Sequence, residues 1–600
     1  MLTVSQSNAL VYSALSAFFL VGLYAGWRTK NKQDFLSGIR TQSAFPLALN
    51  WFAANMSSSL LFSYPQLTVI PGAGILGLAA YSFATIVPLW GFAWFGPLIR
   101  RLCPDGFTLS EFIRRRYGWP VGVLTAIIFV AFMFCFMLVE LNTYGSVVSL
   151  IGGVDATIAA LIVAISTTLY TAYGGFKASL WTDNVNAVII LIEITVAAIA
   201  VGVNIDIDPA TVKSSQILEA QSIGGQLWYI LPVSLIFSQF FNQGFWQRAF
   251  ASKNDKALYW SIAIATVPLF AVCFLVGMAG ALAWWAGLFN GVTAEDDGSL
   301  NFFYILATLP NWVQGFVLVL SSALTSSAYD TFQSAQISTI YNDVFLGRLN
   351  IWICRAILIG INVPSVVLAV KNIDILTVFL IADIGAAAIL PGALLGLSPK
   401  LYFLNGFDVF CGGVGGFLTV FIFGTIFYGN AYQGISLIVL PEGLYTDDYS
   451  TLGAFFAAPL GSLGWTFAAF GARYVATLLY CKLGPGDWFY HNPMRFRTFD
   501  TSTFALDPDR PISRFHAFFK GSGNPDDGHR LDGREDLSSI GQLESTDDKE
   551  EVEEQKAYPS YSEPHAQPAH LHGDELGDQR EAAPALSATQ DTQDHVGVAR

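Results

Sequence analysis

Charge is what this sequence has least of. Asp, Glu, Lys and Arg make up 13 % of 600 residues, about half the roughly 25 % of a soluble globular chain. Residues 41–99 contain no charged side chain at all. Histidine is confined to position 491 and beyond, so no His-based catalytic or metal constellation can form before it, and the chain does not read as an enzyme. The cysteines at 103, 135, 273, 354, 411 and 481 lack regular spacing, which argues against a disulfide framework and against a zinc site. What is abundant is apolar: 53 % of residues are hydrophobic, 48 are Phe, and the mean hydropathy is +0.49. One soluble core cannot hold so much apolar surface, so much of it must face lipid.

The formal net charge is nevertheless −14, and it is unevenly placed. Residues 483–600 carry 23 acidic and 11 basic side chains, a net of −12, which leaves −2 for residues 1–482. The acidic part (DDGHRLDGREDLSSIGQLESTDDKEEVEEQ) shows no hydrophobic periodicity and reads as a disordered, solvated tail. Ser538, Ser539, Ser545 and Thr546 stand among its acidic neighbours as candidate phosphosites, which would suit cytoplasmic regulators of trafficking or turnover. The stretch 483–520 is aromatic and basic and could lie against a membrane face.

Residues 1–482 divide into apolar segments long enough to cross about 30 Å of hydrocarbon. Thirteen are expected, near 7–27, 45–70, 74–99, 119–150, 156–173, 179–203, 227–247, 258–288, 313–341, 351–370, 374–397, 407–429 and 454–481. This is an all-α polytopic membrane protein. Alternate loops hold sixteen and two Lys or Arg residues, which puts the N-terminus outside and the tail in the cytoplasm. The first span has no basic residue before it and a basic stretch after it, unlike a cleaved signal peptide. The closing residues HVGVAR carry no retention signal, so the plasma membrane is the expected address.

Function should lie where the apolar pattern breaks. The second span carries Asn50, Asn55, Ser57, Ser58 and Ser59 near its middle, and the seventh carries Gln239, Asn242, Gln243 and Gly244. Freed backbone is tolerated at mid-membrane only where it lines a cavity or binds something. Interrupted segments at matching positions of two halves point to a transporter binding site, with repeats over about 45–203 and 227–397. Carboxylates inside spans need a cation, a proton or a partner. Asp330, in SSALTSSAYDTFQSAQIST, has the densest oxygen surroundings, and hydroxyls, carbonyls and a carboxylate suit a hard cation such as Na⁺. Glu193 and Asp383 read as packing residues.

At these residues the sequence resembles the sodium:solute symporter family. YTAYGGFKASLWTDNV (170–185), FWQRAFASKNDKAL (245–258) and SSAYDTFQSAQISTIYND (326–343) are similar to three of its motifs, in the family's order. The resemblance implies a LeuT-type inverted-repeat fold, alternating access, no cofactor, and Na⁺ or sometimes H⁺ as coupling ion. It places one cation site on the carbonyls of Ala53, Met56 and Leu324 and on Ser327, with Ala328 standing where a second hydroxyl is usual. It places a second on Asp183, Ser327, Asp330 and Thr331. Two nearby carboxylates could share a proton, which leaves H⁺ coupling open.

Within the family the resemblance runs to the urea active transporters of fungi and plants, through QGFWQRAFAS and GGFKASLWTD. Amides and aromatics between the broken helices (Asn55, Gln239, Asn242, Gln243, Trp51 and Trp246, with Glu140) suit urea, a polyol or a small zwitterion. The expected function is cation-coupled import of a small polar solute, with urea or a related nitrogen compound first. Proline, a polyamine or a sugar are alternatives, as are a nutrient sensor on the same scaffold and a passive channel.

Overall fold

The computed structural model describes residues 2–494 apart from 30–31, 105, 107, 294–296, 370–374, 442, 444–447, 485 and 487. Contacts separate residues 1–528 from 529–600, and all the described helices belong to the first unit. The acidic tail, its candidate phosphosites and most of the 483–520 stretch lie outside the described residues.

The first half contains α1 (Val4–Trp27), α2 (Ala44–Asn55), α3 (Leu60–Val69), α4 (Gly74–Leu102), α5 (Leu109–Tyr117), α6 (Trp119–Gly152) and α7 (Ala156–Asn204). It is followed by α8 (Ser222–Phe241), α9 (Gln243–Ala251), α10 (Asp255–Trp285), α11 (Asn301–Thr308), α12 (Asn311–Thr339), α13 (Ile351–Ala369), α14 (Ile375–Leu394), α15 (Gly406–Tyr428) and α16 (Ser450–Leu483). Among the described residues, pairing between extended segments is limited to one isolated bridge between Gln42 and Ser252.

Among the described residues, eight helices are long and apolar enough to cross a membrane: α1, α4, α6, α7, α10, α13, α15 and α16. The expected spans not among them have identifiable reasons. The second is split into two short helices, and the seventh into the 20-residue α8, too polar to count, and the 9-residue α9. At 1.5 Å per residue, α7's 49 residues span about 74 Å, more than twice the hydrocarbon thickness. It is two helices joined at Gly175, where φ is 60° and ψ −146°. A Cβ there would stand 2.1 Å from the Phe35 carbonyl oxygen, so both the backbone and the space demand glycine.

Helix α12 is long enough but too polar to count as apolar. Every residue from Ser321 to Thr339 is buried, because α12 packs against α1, α6, α7 and α9 within the bundle. A helix whose serines and threonines face neighbours on all sides keeps them out of lipid. Among the described residues, Ile381–Leu397, from α14 into the turn that follows it, is a shorter apolar helix.

Candidate functional site

The two breaks are made by side chains that compete for backbone hydrogen bonds. Helix α2 stops at Met56, whose ψ of 131° is extended. The Ser58 N–H then donates to Glu140 Oε1 at 3.0 Å and its hydroxyl to the same oxygen at 2.8 Å. The Ser57 hydroxyl donates to Glu140 Oε2. A carboxylate from α6 thus holds the start of α3, where unpaired N–H groups favour negative charge. Between α8 and α9, Asn242 is extended with ψ 104°, and its Oδ1 accepts from the Gly244 N–H at 2.9 Å.

Beside both breaks lies a cavity of about 200 Å³. Asn55, Glu140, Gln239 and Asn242 line it, as expected from the sequence. Trp51, Gln243 and Trp246 do not; they stand behind it as fully buried packing. Trp246 Nε1 donates to the Phe240 carbonyl at 2.8 Å, and Trp51 stacks on Phe245 with centroids 5.8 Å apart. The Gln243 amide joins the Phe241 carbonyl at 3.0 Å to the Leu109 N–H at 2.8 Å, fastening the break to α5. Residue type alone does not say which face of a short half-helix meets the cavity.

Sequence reasoning misses Asp383 as a cavity residue. It lines the cavity from α14, and Ser234 on α8 donates to its Oδ2 at 2.6 Å. The available signal is a carboxylate in an otherwise apolar span, and packing accounts for that equally well. Six aromatic rings also line it: Tyr64 and Tyr81 stack in parallel at 4.0 Å, and Phe132, Phe136, Phe245 and Phe332 join them, beside the hydroxyls of Ser57, Ser59, Ser63, Thr85 and Ser238. No Lys, Arg or His is among the lining residues described.

The residues of the first expected cation site sit at the α2–α3 break and on α12, and α2 packs on α12. Ala53 lies in the last turn of α2, and its carbonyl accepts the Met56 N–H at 3.0 Å. Leu324 and Ser327 lie on α12. The Ser327 hydroxyl donates its proton to Asp183, leaving its lone pairs for a cation. Ala328 supplies no hydroxyl and lines the cavity.

The second set is arranged differently from the expectation, because it already holds a side-chain cation. Arg248 pairs with Asp183, both fully buried. Its guanidinium also donates to Thr331 Oγ1 at 2.8 Å and to the Gly244 carbonyl at 2.9 Å. Counting basic residues by loop puts Arg248 in a loop, and the structure corrects that. Asp330 meets the same helix, α7, through other groups, accepting from Tyr170 at 2.6 Å, Ser179 at 2.7 Å and Thr182, the neighbour of Asp183, at 2.8 Å. Asp183 and Thr331 therefore share Arg248, while Asp330 is held by α7 hydroxyls beside Asp183.

A family profile described as the sodium:solute symporter family matches residues 35–406. The chain belongs to that family. This symporter is 40 % identical over 485 residues to a protein of Candida albicans described as a spermidine transporter, covering 80 % of this chain and 92 % of that one. It is 25 % identical to the sodium/pantothenate symporter of Escherichia coli over 55 % of this chain and 71 % of that one. Among solved structures, a Na⁺-coupled sialic acid symporter shares the fold, with a TM-score of 0.59 at 15 % identity over 77 % of this chain and 98 % of that one. The symporter is thus a multi-pass membrane transporter, not an enzyme. The expected urea branch is corrected by the spermidine relative, and urea has no specific support.

Proposed function

We propose that this symporter imports a small organic cation, a polyamine first among them, driven by a cation gradient. One observation carries the reading: the cavity beside both helix breaks holds two carboxylates, Glu140 and Asp383, and no basic side chain among its described lining. Buried negative charge without a partner is costly, and a positively charged solute would supply that partner. Aromatic faces favour ammonium groups and cover methylene segments. Urea would leave both carboxylates uncompensated. The relative described as a spermidine transporter agrees in chemistry.

Coupling follows from shared parts. The α2–α3 break presents the Ala53 and Met56 carbonyls to the coupling ion, while Ser57 reaches Glu140. Ala328 stands in both the cation set and the cavity wall. An ion and a solute that each favour the same arrangement of one break favour each other's binding. Sodium at Ala53, Met56, Leu324 and Ser327 is the proposed coupling ion.

The crossings number thirteen in this reading: each broken pair counts once, α7 crosses twice, and α12 and α14 cross inside the bundle. The repeats span about 45–203 and 227–397, the N-terminus is outside, and the plasma membrane is the address. The test is uptake of radiolabelled spermidine by cells lacking their own polyamine and urea carriers. Excess unlabelled putrescine should suppress uptake and excess urea should not. Uptake of labelled urea that spermidine leaves untouched would refute the organic-cation reading.

A further inference from the structure

The two carboxylates reach the cavity from different walls and are held differently. Glu140 comes from α6 and is fixed by three donors at Ser57 and Ser58. Asp383 comes from α14 and is held by Ser234 of α8, the helix that leads into the second break. A carboxylate offers about four lone-pair sites, so each keeps capacity for an ammonium group. In the same cavity the aromatic residues, with the Tyr64–Tyr81 stack at 4.0 Å, suit a methylene chain. The Asn55 Oδ1, buried without a partner, adds an acceptor from the end of α2. A single ammonium could neutralise only one of the two carboxylates.

We infer that Glu140 and Asp383 form a two-point receptor, each taking one ammonium group of the same α,ω-diamine or polyamine. The inference rests on the organic-cation reading and adds a length requirement that a monoamine cannot meet. Glu140 then has two duties. It caps α3 through Ser58, and it binds one end of the solute, so an occupied cavity tightens the first break. Asp383 ties the other end to α8 and the second break.

The test is competition against radiolabelled spermidine, comparing straight-chain diamines with n-alkylamines of the same carbon number. In the wild type, the best-fitting diamine should compete about tenfold or more better than its matched monoamine. In Glu140→Gln and in Asp383→Asn that ratio should fall to about twofold or less, because only one carboxylate remains to grip the diamine. A merely structural role would weaken both ligands equally, and that result would overturn the two-point receptor. If neither variant reaches the membrane, the wild-type series decides, and a ratio near one at every chain length overturns it. A wild type that takes up urea and no amine would instead refute the organic-cation reading itself.

Discussion

Replacing Arg248 by methionine separates a tethered cation from the carboxylate it serves. Arg248 and Asp183 are both fully buried. Without the guanidinium, Asp183 keeps the Ser327 hydroxyl but loses its counter-charge, and Thr331 Oγ1 and the Gly244 carbonyl lose a donor. Breaking a buried pair by removing one member costs about 3–5 kcal/mol, whereas replacing both members is often close to neutral. Arg248→Met should therefore sharply lower the thermal midpoint of the detergent-solubilised, fluorescently tagged protein. Asp183→Asn combined with Arg248→Met should recover most of the loss, and Arg248→Lys should fall between, since an ammonium cannot form the same fork. Sodium should raise the midpoint of Arg248→Met more than that of the wild type, because the vacated oxygens can then take a free cation. A single variant as stable as the wild type, or a double variant as damaged as the sum of its singles, would refute the tethered-cation reasoning.

Three further outcomes are expected. Asp343, which accepts from Thr108 at 2.8 Å and from Ser110, is pushed up to about 7 by burial and then by neighbouring Glu111. The folded state therefore holds more protons than the unfolded one between about pH 4 and 7, so stability falls as pH rises through that window. Between pH 5.5 and 7 the change is about 2 kcal/mol, and Asp343→Asn should flatten that part of the pH profile of the thermal midpoint. Gly175→Ala forces a Cβ to 2.1 Å from the Phe35 carbonyl at a φ of 60° and should cost at least about 2 kcal/mol, read as lost surface expression; normal expression would contradict the break in α7. Ending the chain after residue 494 should leave uptake within about twofold of the full chain if the acidic tail is a solvated extension, and loss of uptake would make the tail part of the transport machinery.

Long apolar runs make the membrane fold legible, and the paired polar interruptions mark both breaks. Asn55, Ser57 and Asn242 mark the breaks because their side chains there bond to nearby backbone. Orientation within the bundle is harder to read. Trp246 and Gln243 lie a residue or a turn from cavity residues yet face the packed side, and nothing in their type distinguishes the two. Arg248 resembles a loop cation because a sequence shows basic residues flanking a span, not the turn of half-helix that carries one inward to Asp183. The ranking of carboxylates shifts for the same reason. Asp330 has the richer oxygen surroundings and finds three hydroxyls on α7, whereas Asp383, in an apolar run, meets the cavity through packing of α14 on α8. The proposed solute follows from that second carboxylate, which amides and aromatics alone do not reveal.

The most direct measurement is spermidine accumulation in liposomes containing the purified full chain, with an inward sodium gradient imposed and then removed. Cation-coupled polyamine symport predicts labelled spermidine rising above its external concentration only while the gradient lasts, and an inward proton gradient serves as the parallel arm. Equilibration to the external concentration at the same rate with either gradient or with none would contradict it.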